Sequence, residues 1–336
     1  MTLLRKLSPW PCRALLAGLR PLSVGAAARA GAPVPGGAKR SGPAAGLLGS
    51  LRIHGRGLHS EPSSPDSVEV RLNRLDGEDT GVAEVVMCRQ RARNALGKVF
   101  VSQMRELVSA LHHDPAVRVV LFRSAVQGVF CAGADLKERA QMSNSEAELF
   151  VHGLRSMMTE IGMTRPQSSS AIQSMSRVPH ILCALASKAR LQSFLSASSA
   201  QMGLIETTRG LLPGAGGSQR LPRVVGVAVA KELIFTGRRL GGAQALELGL
   251  VNRTVEQNPT GDAAYGAALD LAREILPQAP VAVRMAKEAM SRGSEVDIST
   301  GMAIEGMCYA RVIPTRDRQE GMAAFIEKRP PRYTGE

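Results

Sequence analysis

Aromatic side chains are scarce, at 3% of 336 residues: one Trp, three Tyr and seven Phe. The core must therefore be built from Leu, Val, Ala and Met. Acidic residues are absent from the first sixty positions, where no Asp or Glu precedes Glu61. Apolar runs of about 20 residues are also absent, so no membrane span is expected. Cysteines number five (Cys12, Cys88, Cys131, Cys183 and Cys308) and contain no CxxC pair. That excludes a zinc or disulfide framework and leaves reduced thiols as the default. The six histidines show no ligand spacing, so no metal site is expected.

What is present is 44% hydrophobic and 21% charged, in a chain long enough for one large core or two modest ones. The net charge of +13 first points to an acidic partner. Nine Lys and Arg lie in residues 1–60, however, and 13 less 9 leaves only +4 for the body. The case for nucleic acid from charge alone mostly disappears. Arg5, Lys6, Arg13, Arg20 and Arg29 are spaced among Leu and Ala, with Ser, Gly and Pro around them. This is the composition of a mitochondrial transit peptide. A disordered basic tail is the alternative, and a secretory signal fits less well. Residues 1–60 are thus expected to be a disordered transit peptide, cleaved near Ser60, with the mature protein in the mitochondrial matrix.

Residues 68–72 and 82–87 read as two strands of a hairpin, turning through Asp76 and Gly77. Phe100, Met104, Leu107, Val108 and Leu111 recur at helical spacing, predicting a helix over 96–113 that ends at Asp114-Pro115. Residues 117–123, VRVVLFR, read as a buried parallel strand. The order strand, helix, strand indicates a layered α/β fold. A further helix is expected over 145–161, with Ser145 as N-cap and Glu148 completing a capping box. Helices are then predicted over 227–235, 242–248, 263–276, 281–291, 297–309 and 315–327, separated by Gly or Pro.

Two stretches carry chemistry: FCAGADLKER at 130–139 and GLIETTRGLLPGAGGSQRLPR at 203–223. Alone, each has a plain reading, a strand end followed by a Gly turn and a loop entering a helix. No Gly-Lys-Ser/Thr follows the second, so it is not a Walker phosphate loop. Together, about seventy residues apart in this order, they resemble the enoyl-CoA hydratase/isomerase (crotonase) family. The likeness covers roughly 68–162 and 201–336. The resemblance implies a spiral of strand-strand-helix turns over 61–255. A helical trimerisation region over 256–336 follows, with assembly as a homotrimer or homohexamer. The implied partner is an acyl-CoA thioester. No separate cofactor is implied, because coenzyme A is part of the substrate.

Such a thioester reacts when charge moves onto its carbonyl oxygen, and backbone N–H groups aimed at that oxygen stabilise it. By resemblance Ala134 supplies one such N–H, and Gly133 allows close approach of the backbone. A carboxylate must handle the proton or water. The family's Glu stands seven residues before the Pro of its PGAGG turn, as Glu206 stands before Pro213. The resemblance adds Ala132, Asp135, Leu136, Lys137, Pro213 and Gly214 to the expected substrate contacts, with Lys137 near the CoA nucleotide. Arg220 reads equally well as a structural ion pair. One relative in the family is linked to RNA through a basic helix and strand. The matching stretch, 107–124, offers only Arg118 and Arg123 with His112 and His113, so RNA is not an expected partner.

Residues 163–200 depart from the pattern. The family has a Gly-rich loop here that carries a second oxyanion donor and the hydratases' second carboxylate. This stretch holds no Gly, Asp or Glu and is rich in Ser. Three functions remain open: a 2-enoyl-CoA hydratase of impaired activity, an isomerase working with Glu206 alone, and a non-catalytic CoA-binding or assembly protein. The abrupt change points to replaced coding sequence, an alternative exon or a shifted reading frame, against real divergence. Sequencing the transcript across both junctions is expected to reveal an alternative exon or frame change; an uninterrupted exon with ordinary splice sites would overturn that reading.

Overall fold

The computed structural model describes residues 68–163, 167–172 and 193–336, with the backbone alone over 167–172 and 193–194. Residues 1–60, expected to be a transit peptide, and most of the stretch 163–200 lie outside the described residues.

A six-stranded sheet organises the chain in the order β1-β2-β3-β4-β5-β8. Its strands are β1 (Val70–Arg74), β2 (Val82–Met87), β3 (Val119–Ser124), β4 (Gln167–Ile172), β5 (Ser193–Ala197) and β8 (Arg253–Val255). β1 and β2 form the expected antiparallel hairpin, with Leu72 opposite Val85. All later pairings are parallel. A small antiparallel pair, β6 (Gln201–Met202) and β7 (Leu240–Gly241), stands apart.

The helices are α1 (Lys98–His113), α2 (Leu136–Ala140), α3 (Asn144–Met163), α4 (Gly217–Val225), α5 (Val227–Thr236) and α6 (Gly242–Glu247). The C-terminal set is α7 (Ala263–Ile275), α8 (Pro280–Gly293), α9 (Ile298–Val312) and α10 (Arg316–Glu327). The tail folds back on the first turn of the last helix, where the Thr334 and Gly335 amides donate to Asp317 at 2.7 and 2.9 Å.

Burial on both faces explains the strand sequences. On β2 and β3, Ala83, Val85, Val120 and Phe122 face the main core with Phe100, Met104 and Leu154 from α1 and α3. Val82, Val119 and Leu121 face the other way, against Ala268 and Ala272 of α7. The two-residue alternation divides one apolar run between two layers, as expected of parallel strands. Ala268 and Ala272 are fully buried one turn apart, and their small side chains let α7 lie close on the sheet. Glu84 and Arg123 share that face, where the Arg123 guanidinium lies 4.3 Å from the centre of the Tyr265 ring. Arg118 donates to the Gln278 carbonyl at 2.5 Å. Both arginines of the stretch weighed for RNA are therefore used inside the fold.

Two expectations need correction. The capping box of α3 lies two residues earlier than predicted: Ser143 Oγ accepts from the Glu146 amide at 3.3 Å, and Glu146 accepts from the Ser143 amide at 2.9 Å. Ser143 has the same S-x-x-E spacing as Ser145 and is nearer the preceding turn. Further, the stretch 163–200, to which no strand was assigned, contributes β4 and β5 to the middle of the sheet. Val120 pairs with Ser168, and Ser170 with Phe194. Parallel pairing uses backbone groups common to every residue, so a Ser-rich stretch forms it when both neighbours are in place.

Phe100 is fully buried in the main core. Phe100→Ala is expected to lower stability by about 3–5 kcal/mol in urea unfolding, with unchanged m-value.

Candidate active site

The first motif sits on a loop that the sheet ties down. The Leu96 amide donates to the Gly133 carbonyl at 2.7 Å, and the Asp135 amide donates to the Leu96 carbonyl at 3.1 Å. These are the two bonds of a parallel bridge between Leu96 and Ala134. In such a bridge the middle residue of the triplet turns its own N–H and C=O away from the partner strand. The Ala134 amide therefore points away from Leu96 and donates to no group among the described residues. Gly133 has φ +86°, a conformation that a side chain would strain.

A polar network holds this loop. Arg89 pairs with Glu69 at 2.6 Å, Asp135 at 2.9 Å and Glu138 at 2.8 Å, and donates to the Ala95 carbonyl at 2.7 Å. Asp135 also caps α2, accepting from the Lys137 and Glu138 amides at 3.0 and 3.2 Å. Buried Asn94 donates to Ser124 Oγ at 2.9 Å and to the Phe130 carbonyl at 3.0 Å. Sequence reasoning passed over Arg89 and Asn94. Arg89 follows β2 with nothing local to mark it, and its three acids are brought to it by the fold.

Glu206 opens a single helical turn, Glu206–Arg209, that closes on Gly210 at φ +67°. The Leu211 amide bonds back to the Glu206 carbonyl at 3.0 Å, and Thr207 Oγ1 donates to the Ile234 carbonyl at 2.5 Å. The Glu206 side chain is buried, and neither carboxyl oxygen has a hydrogen-bond partner among the described residues. Burial pushes its pKa above the ordinary carboxylate value; its own amide and the Arg209 charge oppose this without reversing it. Arg220 braces the glycine loop, donating to the Ala215 carbonyl at 2.9 Å and to Thr159 Oγ1 at 3.3 Å. It thus makes structural hydrogen bonds across to α3.

The two motifs meet. Ala132, Ala134, Leu136, Glu206 and Gly214 line one small cavity of about 30 Å³. Gly133, Asp135, Lys137 and Pro213 do not line it: Asp135 is turned to Arg89 and α2, while Lys137 lies exposed on α2. The cavity also takes in Arg139 and Arg209, which the sequence reading did not single out. A space of this size holds on the order of one or two waters. An acyl chain needs more room, and the rim side chains Leu136 and Leu212, 37% and 67% exposed, are those with space to move.

A backbone donor and a buried carboxyl on one apolar cavity, built on a mostly parallel sheet, define an acyl-transfer or proton-transfer class of site. The enoyl-CoA hydratase/isomerase family profile matches residues 77–336, and the chain belongs to that family. It is 59% identical over 281 residues to enoyl-CoA hydratase domain-containing protein 2, mitochondrial, of Bos taurus, covering 84% of this chain and 93% of that one. It is 46% identical over 303 residues to methylglutaconyl-CoA hydratase, mitochondrial, of Homo sapiens, covering 89% and 88%. Among solved structures it resembles an enoyl-CoA hydratase from Bacillus anthracis, with TM-score 0.73, 36% identity, and coverage of 80% of this chain and all of that one. The fold is accordingly crotonase-like, as expected from the sequence. Both curated relatives are named as mitochondrial, in agreement with the location read from the basic leader.

The buried carboxyl has a measurable signature. With its folded pKa raised above 4.5, Glu206 keeps a proton that the unfolded chain loses, so stability falls as pH rises through that interval. Glu206→Gln is expected to raise the melting temperature at pH 7, with the gain vanishing below about pH 4.5. Equal gains at both pH values would contradict the assignment.

Proposed function

We propose that the protein is an acyl-CoA hydratase-like lyase acting on 2-enoyl-CoA in the mitochondrial matrix, in fatty-acid or branched-chain acyl-CoA metabolism, at a low rate. The observation that carries this reading is the meeting of the free Ala134 amide and the unpartnered Glu206 carboxyl on one cavity. The Ala134 N–H stabilises negative charge on the thioester oxygen as the enolate forms. Glu206 takes a proton from water as the oxygen adds to the β-carbon, and a proton returns to the α-carbon. Its raised pKa brings it closer to neutral pH, where a carboxyl exchanges protons in both directions.

The low rate follows from residues 163–200, which hold no Gly, Asp or Glu. Without a second oxyanion donor the rate drops by roughly 10²–10³, and without a second acid/base group by about 10²–10⁴. A second reading is isomerisation of 3-enoyl-CoA by Glu206 alone. It is favoured by Glu206 being the sole carboxyl on the cavity among the described residues. One carboxyl suffices to carry a proton from one substrate carbon to another. A third, non-catalytic CoA-binding or assembly role is the outcome if neither reaction turns over.

We also propose that residues 1–60 act as the transit peptide and that the protein assembles as a homotrimer or homohexamer. Exposed Ile298, Phe325 and Ile326 on α9 and α10, at 79%, 83% and 78%, support assembly through the C-terminal helices.

With crotonyl-CoA, hydration is expected at least about 10²-fold below that of a hydratase carrying both groups, and is lost in Glu206→Gln. Hydration at a full rate would contradict the single-carboxylate site. Shift of a 3-enoyl-CoA double bond without water addition, also lost in Glu206→Gln, would establish the isomerase reading.

A further inference from the structure

A single backbone N–H is a thin provision for the charge that an enolate puts on its oxygen. The family pattern places a second donor on a Gly-rich loop, and residues 163–200 hold no Gly. The cavity shared by Ala134 and Glu206 offers another kind of donor. Its walls are aliphatic apart from Glu206 and two guanidinium groups, Arg139 and Arg209. Arg209 is exposed, three residues after Glu206 on the same turn, and its charge acts on that carboxyl. Arg139 has no such assignment. The acids of its own segment are engaged: Glu138 with Arg89 and the Lys98 amide, and Asp135 with Arg89 and the first turn of α2. Glu206 is not its partner either, since neither carboxyl oxygen accepts a hydrogen bond among the described residues. Arg139 is half-buried, and its side chain forms no ion pair or hydrogen bond among the described residues.

We propose that Arg139 is a catalytic residue whose guanidinium donates to the thioester oxygen beside the Ala134 amide, in place of a second backbone donor. This rests on the enoyl-CoA reading above. It holds for water addition and for double-bond shift alike, because both pass through the enolate. Placement supports it. The Arg139 amide donates to the Asp135 carbonyl at 3.0 Å, so Arg139 stands one helical turn beyond the Ala134–Asp135 peptide. A helical side chain leans back over the turn that precedes it, which here begins at that peptide. One turn is about 5.4 Å along the axis, within the span of an arginine side chain. Arg139 and Ala134 then border the same cavity, as observed.

The energetics favour catalysis over simple binding. A half-buried guanidinium without an anion is unfavourable. The carbonyl of the bound thioester is neutral and relieves little of that cost. As the electron pair of the reacting bond moves through the α-carbon onto the oxygen, a full negative charge forms, and the contact becomes a charge-assisted hydrogen bond. An interaction that strengthens only as the reaction proceeds lowers the barrier. Arg139 gives up no proton at any stage; Glu206 carries the proton. The missing second acid/base group still holds hydration down by about 10²-fold or more.

The test is spectroscopic and needs no turnover. Acetoacetyl-CoA has an acidic α-carbon, and its enolate absorbs in the near ultraviolet. The full chain would be saturated with acetoacetyl-CoA across a pH series, alongside Arg139→Met and Arg139→Lys variants checked for unchanged melting. The parent is expected to raise the enolate-to-keto ratio of the bound thioester by about tenfold or more over that in water, the scale of a charge-assisted contact in a dry cavity. The gain is expected to fall at least about tenfold in Arg139→Met and to be kept in part by Arg139→Lys, which retains the charge without the planar fork. A parent that binds acetoacetyl-CoA with no gain in enolate would overturn the proposal, as would a gain that survives Arg139→Met. Weaker binding in Arg139→Met with an unchanged enolate ratio would make Arg139 a binding group only and also overturn it. A parent that binds neither acetoacetyl-CoA nor crotonyl-CoA in calorimetry would overturn the enoyl-CoA reading itself, and that result is distinct from the others.

Discussion

The bridge between Leu96 and Ala134 is the constraint on which the site depends. Two hydrogen bonds, Leu96 to Gly133 and Asp135 to Leu96, fix the peptide planes on either side of Ala134. Once they are made, the Ala134 amide has no choice of direction. Everything around it serves to keep that geometry. Gly133 accepts the backbone angle, Asn94 ties the start of the loop to β3, and Arg89 binds its end to the edge of the sheet and to α2. A donor that is rigid before substrate arrives costs no reorganisation when charge develops on the thioester oxygen.

The carboxyl across the cavity is held by the opposite means. Asp135 is surrounded by partners, whereas Glu206 is buried without them. Hydrogen bonds and a neighbouring guanidinium favour the charged form of a carboxyl; dry burial favours the neutral one. The two acids, both within the recognised motifs, are therefore put to different uses. Asp135 holds a helix in place. Glu206 is kept in a state where taking and giving a proton both cost little.

Much of the fold was legible because it rests on periodicity. The hairpin, α1, β3 and the C-terminal helices follow from spacing two and spacing near 3.6, and their ends differ from expectation by at most three residues. The capping box at Ser143 shows the limit of local reading: Ser143 and Ser145 both present an acid three residues on, and only the turn before the helix selects between them. The strands at 167–172 and 193–197 show another. Their Ser-rich composition does not announce a central sheet position, and their pairing is dictated by β3 on one side and β8 on the other. The three carboxylates of Arg89 come from positions up to 49 residues distant, which no local pattern reveals.

By itself, the amino-acid order determined the layered α/β class, the basic leader, the two motifs and the lack of Gly, Asp and Glu across 163–200. These are properties of spacing and composition, which survive without any knowledge of contacts. Only the tertiary structure decided that Ala134, Glu206 and Arg139 share one cavity, that Asp135 faces away from it, and that Glu206 has no partner. Direction, burial and company are set by residues far apart in the chain, and they exist only once the sheet has brought those residues together.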